Sequence, residues 1–333
     1  MLNCALIGIG GLGKGCHLPY LVKREEINLV ALCDVRRETL FSQEKINLDV
    51  EEFSINPDDY HFYTDYKEMI EKEKLDLVVI VVPTFLHAEI SVYALNHGIN
   101  VFCEKPMALT EEETQAMIDA AEKNGKQLMI GQVLRFYKEY NVLKDLVDSK
   151  KYGEVVKAEF TRCSSKALWG WEKWYQDEKR SGGAALDLHV HDVDMVNWLF
   201  GKPNAVSSMR TDYFADYESI TTRYIYDDNK VITTIGDWGY PGKFGFKAGF
   251  RVRFEKAALL YEGGKLLLIT DEENTDLTPE KPIDPYCQEV LEFVECIEAG
   301  KPCEKNLATD SALSLKIALA EKKSAALKQV VEV

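Results

Sequence analysis

The residues able to do chemistry fall in a few short stretches. The first is Gly8-Ile9-Gly10-Gly11-Leu12-Gly13, followed at a distance by Asp34. The spacing is GxGxxG between an apolar run at 2–9 and a stretch of helical character at 12–23. In that setting the first glycine permits a tight turn and the second lets a pyrophosphate approach the backbone. The third lets helix and strand pack closely. Free N–H groups and the positive end of the helix dipole then meet the phosphates. Asp34 ends a second strand at 27–33 and can accept the ribose hydroxyls of NAD, while it would repel the 2′-phosphate of NADP. Arg36 and Arg37 follow it and could reach a phosphate, so NADP stays open. A glycine-rich turn with no ligand is the competing reading. It has less support, because strand, turn, helix and acid occur in the required order.

The second stretch is Asp187, His191 and Asp194. Their spacing, i, i+4 and i+7, puts all three on one face of a helix. Val193, Val196 and Phe200 make a separate apolar stripe. Oxidising an alcohol needs a group that removes the hydroxyl proton as hydride leaves, and histidine suits this near neutral pH. A neighbouring carboxylate can fix its tautomer. Lys105 ends an apolar strand at 100–103, at the carboxyl edge where open parallel sheets bind ligands. Its ammonium would stabilise charge on a substrate oxygen. His189 and His191 invite a metal reading, but residues i and i+2 diverge by about 200° around a helix. With no third ligand suitably spaced, no metal is expected. His87, after Pro83-Thr84, could reach the cofactor or substrate, or sit at a helix start on the surface. Residues 168–175 hold Trp169, Trp171, Trp174 and Tyr175. Such faces can wall a sugar pocket, or simply pack.

The elements needed to position these residues follow from hydrophobic pattern. Up to residue 131, short apolar runs alternate with helical segments at 12–23, 36–46, 65–72 and 85–97, and with a helix opened by the capping box Thr110/Glu113. The run at 77–82 is aliphatic at every position, as in a strand buried on both faces. This is a doubly wound α/β pattern. After about 150, seven strand-like runs follow closely, two of them joined through Gly263–Gly264. A helix at 186–200 interrupts them, and helices at 286–299 and 308–327 close the chain.

Composition narrows the class. The chain has 333 residues, 40 basic and 55 acidic, for a net charge of −15. The length favours two domains, drawn here at 1–130 and 131–333. Acidity is spread over both halves and no basic run exceeds two residues, which argues against nucleic acid. No apolar run approaches the roughly 20 residues of a membrane helix. The eight cysteines show no CxxC spacing and no export signal is visible, so a reduced, cytoplasmic setting is expected.

Four segments, in order, resemble the Gfo/Idh/MocA oxidoreductase family. They are the glycine turn, Glu104-Lys105-Pro106, Gly131-Gln132-Val133-Leu134-Arg135-Phe136, and Gly182-Gly183-Ala184-Ala185-Leu186-Asp187 continuing to His191 and Asp194. The resemblance spans essentially the whole chain. It implies an N-terminal Rossmann domain and a C-terminal α+β domain with a large open, mostly antiparallel sheet, through which such chains form homodimers or homotetramers. It also implies a nicotinamide cofactor and a sugar, inositol or related polyol substrate. By the same resemblance Lys105, Asp187 and His191 are catalytic. The cofactor would lie against Gly8, Gly10, Gly11, Leu12, Gly13, Asp34, Arg36, Pro83, Thr84, His87, Glu104 and Lys105. The substrate would lie against Arg135, Trp169, Trp174, His189 and Asp194. His189 departs from the small residue usual in the family, as does 132–134 from its usual pattern. Two further readings stay open: an NAD-retaining glycosidase-like enzyme using transient oxidation, and a non-catalytic NAD(H) sensor.

Overall fold

The computed structural model describes residues 1–41, 53–280 and 284–333. The strands are β1 Leu2–Ile7, β2 Ile27–Cys33, β3 His61–Tyr63, β4 Leu77–Ile80, β5 Asn100–Glu104, β6 Leu128–Gly131, β7 Val155–Ser165, β8 Ala205–Thr211, β9 Ser219–Ile225, β10 Val231–Tyr240, β11 Phe246–Phe254, β12 Ala258–Glu262, β13 Lys265–Ile269, β14 Asn274–Asp276 and β15 Val331–Glu332. The α-helices are α1 Leu18–Lys23, α2 Tyr66–Lys72, α3 His87–Asn96, α4 Glu111–Asn124, α5 Lys138–Ser149, α6 Glu178–Ser181, α7 Ala184–Asp187, α8 Val190–Phe200, α9 Pro285–Ala299 and α10 Ala308–Leu327. The chain divides into two compact units. The first is Met1–Gln132 with Leu168–Trp174 and Pro285–Ala312; the second is Val133–Ala167 with Tyr175–Asp284 and Leu313–Val333.

The first unit holds a six-stranded parallel sheet in the order β3-β2-β1-β4-β5-β6. Strand order reverses between β1 and β4, and the glycine turn leaves β1 at that switch point, where such sheets bind ligands. β4 is fully buried along its length, as its unbroken aliphatic run requires. Helix α4 starts with the complete Thr110/Glu113 capping box and ends at Gly125 with φ +60°. The helix expected at 12–23 is present, and it contains a wide π turn, Gly13–His17, ahead of α1. The helix expected at 36–46 is a 3-10 turn at Arg37–Leu40, and its remainder lies outside the described residues.

The second unit holds a nine-stranded sheet, β14-β13-β12-β11-β7-β10-β9-β8-β15, antiparallel except for β7 with β10. β7 alternates in burial, turning Ala158, Phe160, Arg162 and Ser164 inward. α7 packs on β9 and β10, and α8 on β7 and β10. The buried side of this sheet is polar in places: Arg162, Thr222, Tyr224 and Thr234 all lie within it. The single helix expected at 186–200 is two, separated at Leu188–His189. Helix α5 has no counterpart in the sequence-based expectation.

Replacing Thr110 by alanine removes one half of the α4 capping box. We expect a loss of about 1 kcal/mol, read as a lower denaturant midpoint with unchanged slope.

Candidate active site

The glycine turn is built by steric exclusion. Gly8 has φ +94°, and a Cβ there would lie 2.1 Å from the Val81 carbonyl oxygen; a Cβ at Gly13 would lie 2.1 Å from that of Gly8. Only glycine brings the turn so close to its neighbours. Asp34 then ties the turn to the end of β2. Its Oδ2 accepts the Ile9 N–H at 2.9 Å and its Oδ1 the Arg36 N–H at 2.9 Å. Gly10, Gly11 and Leu12 are half-buried, at the open side of the turn. These residues fit a dinucleotide: the cradle is closed to any Cβ, and its backbone lies partly open beside a fixed carboxylate. Lys14, which the sequence reading passed over, donates from Nζ to the Leu40 carbonyl at 2.8 Å. Burial lowers the pKa of its ammonium. A lysine directly after the last glycine was the available signal.

Lys105 follows β5 and is half-buried. Its neighbour Glu104, expected at the cofactor, turns its side chain inward and is 3% exposed. Oε1 meets His17 Nε2 at 2.7 Å, and Oε2 accepts the Lys105 N–H at 3.1 Å. Gly131, paired with Glu104 across β5 and β6, makes room for it: a Cβ there would lie 3.2 Å from the carboxylate. Glu289 of α9 joins the group, and one ligand atom from each of His17, Glu104 and Glu289 lies within 4.8 Å of the others, close enough to hold a cation. His87, expected either near the ligands or on the surface, does not lie on the surface. It is 1% exposed, and its ring nitrogens lie 2.8 Å from the carbonyls of Pro106 and Val82. Desolvation lowers its pKa, and these backbone contacts occupy it. Thr84 is buried and Pro83 half-buried at the start of the same loop.

In the second unit the acids of α8 are drawn inward. Arg135 donates from Nε and Nη2 to the two oxygens of Asp194 at 2.9 and 2.8 Å, with side chains 0% and 1% exposed. Ser314 Oγ adds a third bond to Asp194 at 2.9 Å. Arg162 of β7 makes the same bidentate fork to Asp192, at 2.9 and 3.1 Å, and also donates to the Tyr140 hydroxyl. Burial alone would lower the Arg162 pKa, but Asp192 outweighs it and raises it. Arg135 and Asp194 are therefore not free to meet a substrate: each satisfies the other, because a buried charge needs a partner. Asp194 thus spends both oxygens on Arg135, although it still lies i+3 from His191 on α8. Asp187 and His191 remain half-buried, at the end of α7 and the first turn of α8. His189, expected at the substrate, is fully buried against Glu321 and Thr234. In the segment Leu168–Trp174 of the first unit, Trp174 is 8% exposed and Trp169 half-buried.

The Arg135–Asp194 fork gives a direct test. Asp194→Ala should cost about 3–5 kcal/mol, because it strands a buried guanidinium. Arg135→Met combined with Asp194→Leu should cost much less than the sum of the single changes. Chemical denaturation of the four proteins in the cycle reads both.

Comparison with known proteins identifies the family. A model described as "Oxidoreductase family, NAD-binding Rossmann fold" matches residues 2–132, and the GFO/IDH/MocA C-terminal domain matches residues 140–259. Inositol 2-dehydrogenase of Salmonella typhimurium is 27% identical over 238 residues, which are 71% of this chain and 61% of that protein. Myo-inositol 2-dehydrogenase of Thermotoga maritima is 24% identical over 343 aligned residues, 97% of this chain and 96% of that one. The crystal structure of myo-inositol 2-dehydrogenase from Lactobacillus plantarum superposes with a TM-score of 0.82 at 25% identity, covering 100% of this chain and 99% of the other. With a glycine cradle tied down by Asp34, a lysine closing β5, and both family domains matched in order, the chain belongs to the Gfo/Idh/MocA oxidoreductase family.

Proposed function

We propose that the protein is an NAD-dependent dehydrogenase acting on a secondary hydroxyl of a sugar, inositol or related polyol. One observation carries the reading. Lys105 stands at the carboxyl end of β5, on the parallel sheet that also carries the glycine cradle, while in the second unit Asp187 ends α7 and His191 lies in the first turn of α8, both half-buried. The inositol dehydrogenases among its relatives support the substrate class.

The backbone of Gly10, Gly11 and Leu12 would hold the pyrophosphate, and Asp34 the ribose. When bound, the nicotinamide supplies the hydride acceptor or donor. The Lys105 ammonium binds the substrate oxygen and stabilises charge as it develops. His191 takes the hydroxyl proton on a ring nitrogen, and Asp187 fixes the tautomer that leaves that nitrogen open. Trp169 would offer an aromatic face to the sugar ring. We also place the protein in the cytoplasm, in keeping with its eight free thiols. Homo-oligomers would form through the open sheet, whose Met209 and Ile235 are 72% and 38% exposed.

NAD and NADP, each assayed against a panel of sugars, inositols and sugar acids, test the reading by the absorbance of reduced cofactor. NAD should be preferred, and Asp34→Ala should narrow that preference. Lys105→Ala should lower kcat by about 10²–10³-fold, and His191→Ala by about 10²–10⁴-fold, with NAD affinity kept in the His191 variant. Wild-type turnover surviving both substitutions would overturn these roles. Glycoside cleavage without net NADH would instead favour transient oxidation. Tight NADH binding with no turnover across the panel would favour a sensor.

A further inference from the structure

His189 stands between the two candidate proton-handling residues but shares none of their exposure. It is 0% exposed, as are Glu321 of α10 and Thr234 of β10. Its Nε2 lies 3.0 Å from Glu321 Oε2 and 3.1 Å from Thr234 Oγ1. Thr234 Oγ1 in turn lies 2.9 Å from the hydroxyl of Tyr224 on β9. Burial, with the Glu321 carboxylate nearby, raises the pKa of the Tyr224 hydroxyl. The imidazole rests on Gly236 of β10, where a Cβ would lie 2.7 Å from its Cβ and Nδ1. One side chain thus meets β10 and α10 directly, and β9 through Thr234.

The backbone at this point is irregular. The Ala184 carbonyl accepts both the Leu188 N–H, an i→i−4 bond, and the His189 N–H, an i→i−5 bond, and the His189 carbonyl accepts both the Val193 N–H, i→i−4, and the Asp192 N–H, i→i−3, so the ladder is shared between spacings at this turn. Asp187 ends α7 and His191 lies in the first turn of α8. A regular i→i−4 ladder would fix the angle between two such residues; two short helices meeting at a distorted turn do not. Side-chain anchoring at the turn can supply what the ladder lacks.

We propose that His189 is a positioning residue, which through Glu321 and Thr234 holds the α7–α8 turn so that Asp187 and His191 are presented in one fixed register. The proposal rests on the catalytic reading of those two residues. It is separate from the substrate contact first expected of His189, because no part of the ring is exposed.

Three variants and two readouts test it. Glu321→Gln keeps the volume and removes the charge, His189→Ala removes the anchor, and His189→Gln restores an amide donor. Glu321→Gln and His189→Ala should each lower kcat by roughly tenfold or more, the scale of a small misplacement of catalytic groups. The KM for NAD should stay within about twofold, and His189→Gln should recover most of the loss. Folded variants with wild-type kcat, or a loss that His189→Gln leaves unrepaired, would overturn the proposal. Hydrogen exchange gives a readout free of turnover. Amides of 187–193 should exchange faster in Glu321→Gln than in wild type, with those of β7 as internal reference; unchanged protection would overturn it. A wild-type chain that reduces no cofactor with any polyol would sink the proposed function, and the exchange result would still decide this one.

Discussion

A carboxylate taken out of water must be met by donors, and α8 brings two of them into the interior. Left unpaired, either would cost several kcal/mol. Asp192 and Asp194 are two residues apart, so they leave the helix about 200° apart around its axis. Arg162 reaches one from the sheet, and Arg135 reaches the other from the 3-10 turn Val133–Phe136. The helix is therefore gripped on opposite sides by planar forks, each with both oxygens engaged. Apolar packing by Val193 and Val196 is non-directional and would tolerate a small rotation. Two forks would not. The rotation of α8 about its axis follows from this pairing more than from the hydrophobic stripe.

The first unit applies the same constraint to its backbone. Asp34 accepts two N–H groups around the end of β2, and Glu104 accepts the N–H of Lys105 while holding His17. Each carboxylate fixes the chain beside a residue with a proposed role. This bears on how an acidic chain, at −15, can take an anionic dinucleotide. Side-chain charge summed over the sequence says little about the field at the turn. Asp34 is partly neutralised by internal donors, and the phosphates would meet backbone N–H groups and a helix end.

The parts of the fold legible in sequence are those where local chemistry and burial agree. The aliphatic run of β4, the Thr110/Glu113 box and the glycine turn each have one consistent reading. α5 escaped because its signals are weak: Tyr137 provides no side-chain cap, and the buried apolar positions Tyr140 and Leu143 sit among charges. β3 is only three residues long and lies at the sheet edge. In the site, Arg135 and Asp194 were recognised as important and misread as substrate contacts. Motif membership marks a residue without giving its direction, and the partner lies far away in sequence.

His189 differs, because its direction was available. Its spacing to Val193 and Val196 is i, i+4 and i+7, the same rule that groups Asp187, His191 and Asp194. The rule that separates the two imidazoles by about 200° puts His189 on the apolar stripe. A histidine on that stripe must find a partner inside, and the sequence could not say that Glu321 supplies it. Stability alone does not account for the pair, since buried polar pairs are often no better than apolar side chains of the same volume. What an apolar side chain cannot provide is a directed bond to two neighbouring elements at a turn where the helical ladder changes spacing.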